Sequence, residues 1–206
     1  MNTILQKIIA RKHQEIAEGQ QQLPIPALLE RITDNATGDM APRGFTRALK
    51  NKIADGKIAV IAEIKKASPS RGVICQHFDP ASIAQSYEQG SATCLSLLTD
   101  NDFFQGSHTH LQTARQACNL PVIRKDFIID NYQVYEARAM GADCILLIVA
   151  CLQDRQLQQL TDLATDLGMD VLIETHNKAE LTRALSLKNT LLGLSLIHIS
   201  EPTRPY

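Results

Sequence analysis

The sequence predicts an α/β fold of parallel βαβ units, a (β/α)8 barrel left incomplete at about five to six units and preceded by a helical extension. Three observations predict it. Short, near-continuous apolar runs recur along the chain, the mark of strands covered on both faces. Stretches of helical period separate them, with a spacing of roughly 25 to 35 residues from strand to strand. Ionisable residues stand at the C-terminal ends of several different runs, which is how a barrel gathers chemistry. An open doubly wound sheet also fits the alternation, but the Gly-x-Gly-x-x-Gly turn of a dinucleotide-binding sheet is absent.

The elements follow in order. Ile4, Ile8, Ile9 and Ile16 fall at helical spacing, flanked by Lys7, Arg11, Lys12 and Glu15, so the chain opens with an amphipathic helix. Pro24 and Pro26 interrupt it, a short helix spans 28–32, residues 38–44 are turn-rich, and 45–54 is helical again. Residues 1–56 are thus a helical extension. Strands are predicted at 58–64, 93–98, 121–124, 143–149 and 169–174, with a weaker one from Leu191. Helices are predicted between them at 80–89, 110–117, 132–140, 153–167 and 178–187. Eight units typically need about 250 residues, so a chain of 206 residues is expected to leave the barrel open.

Composition bounds the function. The chain is 44% hydrophobic and 21% charged with a formal net charge of -1, an ordinary globular balance. That charge provides no overall attraction to nucleic acid or to an anionic membrane, so an anionic ligand would need a local cluster of cations. Cys75, Cys94, Cys118, Cys144 and Cys151 form no Cys-x-x-Cys pair and read as small apolar residues in a reducing compartment, not as a metal site. No apolar run reaches the ~18 residues of a membrane span, and residues 1–22 contain no signal-peptide core. A cytoplasmic protein is expected.

Side chains alternate along a strand, so Glu63 and Lys65 share one face and Ala62 and Ile64 the other. Ile64 suits packing against outer helices, which sends Glu63 and Lys65 into the barrel mouth. A structural ion pair is the alternative reading of these two. Thr99, Lys125 and Glu174 end three further strands. Two lysines and two glutamates in one mouth would tune each other, so that a lysine can act as an acid and a carboxylate as a base.

These residues carry a resemblance. Glu-Ile-Lys-Lys-Ala-Ser-Pro-Ser-Arg-Gly at 63–72 resembles the signature of the indole-3-glycerol phosphate synthases. So do Leu-Thr-Asp-Asn-Asp-Phe-Phe-Gln-Gly-Ser at 98–107, Pro-Val-Ile-Arg-Lys-Asp-Phe-Ile-Ile-Asp at 121–130, Gly-Ala-Asp-Cys-Ile-Leu-Leu-Ile-Val at 141–149 and Val-Leu-Ile-Glu-Thr-His at 171–176. The resemblance implies a carboxy-lyase of tryptophan biosynthesis with the TIM-barrel fold, working without metal or cofactor. Its phosphorylated small-molecule substrate would be 1-(2-carboxyphenylamino)-1-deoxyribulose 5-phosphate, closed to indole-3-glycerol phosphate with loss of CO2 and water. By resemblance Lys125 is the general acid of ring closure. By the same resemblance Lys65 contacts the anionic groups of the substrate and can donate a proton during dehydration, and Glu63 and Glu174 are acidic partners, one of them the base. Ser68, Phe104 and Phe127 match substrate-binding positions, the two rings suiting contact with the anthranilate ring, although packing alone would also explain a phenylalanine there.

After Gly193 the sequence departs from the family. An Asn- and Arg-containing sixth strand is expected, and Leu194 to Tyr206 reads otherwise. Two domains of the sequence are therefore distinguished: a synthase-like barrel at 1–193, including the extension, and an atypical tail at 194–206. The expectation is a truncated chain, poorly soluble and without turnover, that at most binds substrate weakly or self-associates. A fused phosphoribosylanthranilate isomerase, present in some members of the family, would lie beyond this chain.

Overall fold

A computed structural model describes residues 4–34, 38–187 and 191–195, the side chain of Asp39 excepted. The tail expected at 194–206 lies outside the described residues beyond Ser195. Three helices precede the sheet: α1 (Ile4–Gln22), α2 (Ile25–Asp34) and α3 (Phe45–Ala54). The strands are β1 (Ile61–Ile64), β2 (Ala67–Ser68), β3 (Gly72–Val73), β4 (Cys94–Leu98), β5 (Val122–Lys125), β6 (Cys144–Ile148), β7 (Asp170–Thr175) and β8 (Leu192–Leu194). Between them run α4 (Pro80–Gln89), α5 (His108–Ala117), α6 (Asn131–Ala139), α7 (Asp154–Asp166) and α8 (Lys178–Leu185). The main sheet has the order β1-β4-β5-β6-β7-β8, with every neighbouring pair parallel. Parallel neighbours joined by helices in sequence order give an incomplete (β/α)8 barrel. Strand β8 pairs with β7 as far as Leu194, and the Ser195 N–H still donates to the Thr175 carbonyl.

Local chemistry fixes where the helices begin. Asp79 caps α4 ahead of Pro80, Ser107 caps α5, and Asp130 with Gln133 forms a capping box on α6. Each supplies an acceptor for an N–H that the first helical turn leaves unpaired.

Alternation along the strands sorts the core into two clusters. Ile64, Leu95, Leu97, Val122, Ile145, Leu147, Val171 and Ile173 face outward and pack under the helices. Cys94, Ile123, Cys144 and Leu146 face inward and meet Phe45 and Leu49 of α3. Helix α3 therefore plugs the concave side. Phe45 is fully buried there, a side chain whose burial is worth about 1.5–3 kcal/mol. At the N-terminal ends of the strands, Asp143 accepts from the backbone N–H groups of Arg43 and Val122 and pairs with the buried Arg115, while Asp170 accepts from the Thr46 N–H. These contacts tie the extension to the sheet at the N-terminal ends of its strands, the end of such a barrel that serves stability.

Two expectations need correction. Strand β1 begins at Ile61, not at 58, and Ile58 is 84% exposed. The apolar run suggested cover on both faces, but β1 is an edge strand with β4 as its one neighbour among the described residues. Lys12 does not flank the apolar stripe of α1: Ile8, Lys12 and Ile16, each four residues on, form its buried face. A cation can lie there because three carboxylates meet it. The β2–β3 hairpin, which turns at residues 69–71 and enters β3 at Gly72 with φ 64, was not anticipated from the sequence.

Candidate active site

At the C-terminal ends of the strands a cleft of about 640 Å³ opens on the concave face. Inward alternation delivers residues to it from separate strands. Glu63 belongs to β1 and Lys65 follows it by two, while Lys125 closes β5 and Phe127 follows it by two. Glu174 lies on β7, and His176 comes two residues later on the same side. Ser68 arrives on β2, and Phe104 on the turn after β4. All seven residues singled out in the sequence, Glu63, Lys65, Ser68, Phe104, Lys125, Phe127 and Glu174, line this one cleft. Ile4, Leu5 and Ile8 of α1 line it as well, so the first helix supplies an apolar wall.

The charges are not evenly shared. Glu63 takes both lysines: Lys125 Nζ donates to its Oε1 at 2.8 Å and Lys65 Nζ to its Oε2 at 3.0 Å. Burial opposes ionisation of Glu63, but the hydrogen bonds and charges of Lys125 and then Lys65 outweigh it and hold the carboxyl below its usual range. The Tyr87 hydroxyl donates to the Glu63 carbonyl at 3.2 Å and steadies the strand end. Glu174 instead lies against a histidine, its Oε1 3.2 Å from His176 Nε2. The rings of Phe104 and Phe127 meet at 6.3 Å between centroids, tilted by 34°. They form an apolar surface suited to an aromatic group.

Gly106 sets the turn that carries Phe104. A Cβ there would stand 2.4 Å from the Leu98 carbonyl oxygen and 2.8 Å from that of Asp100. The Gly106 N–H meanwhile donates to the Asp100 carbonyl at 2.7 Å.

Thr99 does not reach the cleft. It is buried and donates from Oγ1 to Asp126 Oδ2 at 2.6 Å, on the side of a second cavity between α1, α5 and α6. Arg124 and Asp126, which flank Lys125, belong to the same buried network. Lys12 Nζ lies 2.8 Å from Asp100 Oδ2, 2.9 Å from Asp126 Oδ1 and 2.7 Å from Glu15 Oε2. Arg124 pairs with Asp126 at 3.2 Å and with Glu136 at 2.8 Å. Desolvation alone would keep Asp126 protonated, but Arg124 and Lys12 hold its carboxyl far below the usual range. This network fastens α1 to the ends of β4 and β5, directly behind Lys125. Sequence reasoning missed Lys12, Asp100, Asp126 and His176. The available signals were a cation in the i, i+4 series of Ile8 and Ile16, and a histidine two residues past a strand-end glutamate.

The chain is similar to known proteins over most of its length. The sequence model of the indole-3-glycerol phosphate synthase family matches residues 5–196. The chain is 55% identical over 195 residues to the indole-3-glycerol phosphate synthase of Bordetella pertussis, covering 95% of this chain and 73% of that protein. It is 56% identical over 195 residues to that of Polaromonas naphthalenivorans, with the same coverage. Among solved structures, methylornithine synthase (PylB) aligns with a TM-score of 0.50 over 88% of this chain and 66% of its own, at 14% identity, a likeness of fold alone.

Proposed function

The chain belongs to the indole-3-glycerol phosphate synthase family, and from that premise we propose that the cleft on the concave face is where ring closure, decarboxylation and dehydration take place. The enzyme is a carboxy-lyase of tryptophan biosynthesis, and its substrate is a phosphorylated small molecule. Among the described residues no helix is long and apolar enough to cross a membrane. We place the enzyme in the cytoplasm on composition. The barrel at 1–193, with its extension, is the part that carries this chemistry.

The geometry supports the following roles. As the aryl carbon of 1-(2-carboxyphenylamino)-1-deoxyribulose 5-phosphate attacks the ketone, negative charge grows on the carbonyl oxygen and a proton must meet it. Lys125 supplies that proton, since its ammonium is held at the cleft by Glu63. Loss of CO2 then relieves the crowded ring carbon. Dehydration needs a second proton on the departing hydroxyl and a base for the neighbouring C–H. Lys65, the other donor to Glu63, serves the anionic groups and the departing hydroxyl. Glu174 is the base, because Glu63 is engaged by both cleft lysines and Asp126 by Lys12 and Arg124, while Glu174 lies against His176. Phe104 and Phe127 hold the aromatic ring, and Ser68 contributes a polar contact from the hairpin.

The observation that carries this reading is the convergence of Glu63, Lys65, Lys125 and Glu174, from β1, β5 and β7, in one cleft. The family match favours an active synthase over the expected chain without turnover, and incubation with the arylamino ribulose phosphate separates the two. Indole absorbance should appear with one equivalent of CO2, and unchanged substrate at saturating concentration would contradict it.

A further inference from the structure

His176 lines the cleft and has no part in the roles assigned above. His176 is half-buried at the end of β7, between two carboxylates. Its Nε2 lies 3.2 Å from Glu174 Oε1, and its Nδ1 lies 3.0 Å from Glu180 Oε2. The two carboxylates are held in unlike ways. Glu180 is locked: its Oε2 also accepts the His176 backbone N–H at 2.8 Å, its Oε1 accepts from Asn177 Nδ2 at 2.7 Å, and its own N–H donates to Asn177 Oδ1 at 3.0 Å. These contacts build the first turn of α8. Burial disfavours the charge on Glu180, but the His176 and Asn177 hydrogen bonds more than offset it and keep the carboxyl below its usual range. An ionised carboxylate only accepts, so the nitrogen facing it, Nδ1, must carry hydrogen.

That commitment constrains the other side of the ring. With Nδ1–H given to Glu180, the contact between Nε2 and Glu174 Oε1 holds one proton. Either Nε2 carries it and donates to a carboxylate, or Glu174 carries it and donates to a neutral ring nitrogen. We propose that His176 is a positioning residue that shares this single proton with Glu174, passing it on when Glu174 acts as the base, while Glu180 fixes the ring. The inference rests on the reading of Glu174 given above and deepens it.

The step balances without any outside reactant. While Glu174 is a carboxylate, the shared proton is on Nε2 and is donated to it. As Glu174 removes a proton from the substrate carbon, Nε2 releases the shared proton to water, so the contact still holds one proton, now on the Glu174 carboxyl and donated to the neutral ring. Transfer of that proton to Nε2 restores the carboxylate and the imidazolium between Glu174 and Glu180. Glu174 and Glu180 face the ring from β7 and α8, and Lys65 and Lys125 share the cleft with it. Cys151, in the turn after β6, stays a thiol: burial first, then the charges of Glu174 and Glu180, push it up to about 11.

Two measurements test the proposal. The first is the 15N NMR spectrum of the imidazoles, with the His176 signals identified by their loss in His176→Asn. The neutral ring should carry its proton on Nδ1, and Glu174→Gln should perturb Nε2 far more than Nδ1. A neutral ring protonated on Nε2 would overturn the inference whether or not the protein turns over substrate. The second is kinetic. His176→Asn should lower kcat about tenfold to a hundredfold while KM stays within about threefold. Because the pair then loses one of the two carriers of the shared proton, the acid limb of kcat should differ from that of wild type. Unchanged kcat and an unchanged acid limb would sink the idea, as would a loss of rate matched by loss of folded protein with the limb in place. Wild type lacking all turnover would instead defeat the functional reading, and the NMR result would stand apart from it.

Discussion

Lys125 and Glu63, separated by 62 residues in sequence, meet at 2.8 Å between Nζ and Oε1. Glu63 closes the contact while also accepting from Lys65 at 3.0 Å, so one carboxylate aims two ammoniums at a common space. Replacing it with glutamine keeps the shape and removes the charge that holds both. Glu63→Gln should lower kcat by about a hundredfold, more than it raises KM. Steady-state turnover of the arylamino substrate reads this directly.

The same carboxylate shapes the response to acid. Its folded pKa is depressed, so its contribution to stability is in full force above the unfolded value of 4.5 and is lost as pH falls through the lower folded value. Urea unfolding across that range should therefore show wild type losing stability more steeply than Glu63→Gln, with the two curves converging in acid. Parallel curves would mean that the ion pairs contribute nothing.

Lys12 anchors α1 through three carboxylates and is 2% exposed. Lys12→Met would take from Asp100 its lysine partner and leave Asp126 with Arg124 as its counter-ion, and truncating one partner of such a buried network costs about 3–5 kcal/mol. The double variant Lys12→Met with Asp126→Asn should lose less than the sum of the single losses. Chemical denaturation of the four proteins in the cycle measures this, and strict additivity would show that the charges do not interact.

Gly106 leaves no room for a side chain because two backbone carbonyl oxygens, of Leu98 and Asp100, close over it. Gly106→Ala should displace the turn that carries Phe104, costing about 1–3 kcal/mol and raising KM several-fold. Binding of the product and thermal unfolding, measured together, separate the two effects.

The helices and strands were legible because each carries its own signal: apolar runs for β4 to β7, and caps or helical period for α3 to α8. The strand-end series Glu63, Lys125 and Glu174 was legible for the same reason, since alternation along a strand fixes which side chains enter the mouth. What could not be read were pairings that depend on distance in the sequence. Nothing near Lys12 announces Asp100 and Asp126, nearly ninety residues or more away, so a buried cation resembled a flanking charge. Thr99 obeys the strand-end rule but turns to Asp126 and away from the cleft. His176 was hidden by its place in the loop after β7, where its partner Glu180 belongs to the next helix.

The central claim is that Lys125, held by Glu63, protonates the ketone oxygen as the indole ring closes. Lys125→Met preserves the length and apolar stem of the side chain and removes the ammonium. Single-turnover assays with this variant should show ring closure slowed by about a thousandfold, while the thermal unfolding transition stays within a few degrees of wild type. Ring closure at the wild-type rate by a folded Lys125→Met protein would contradict the account.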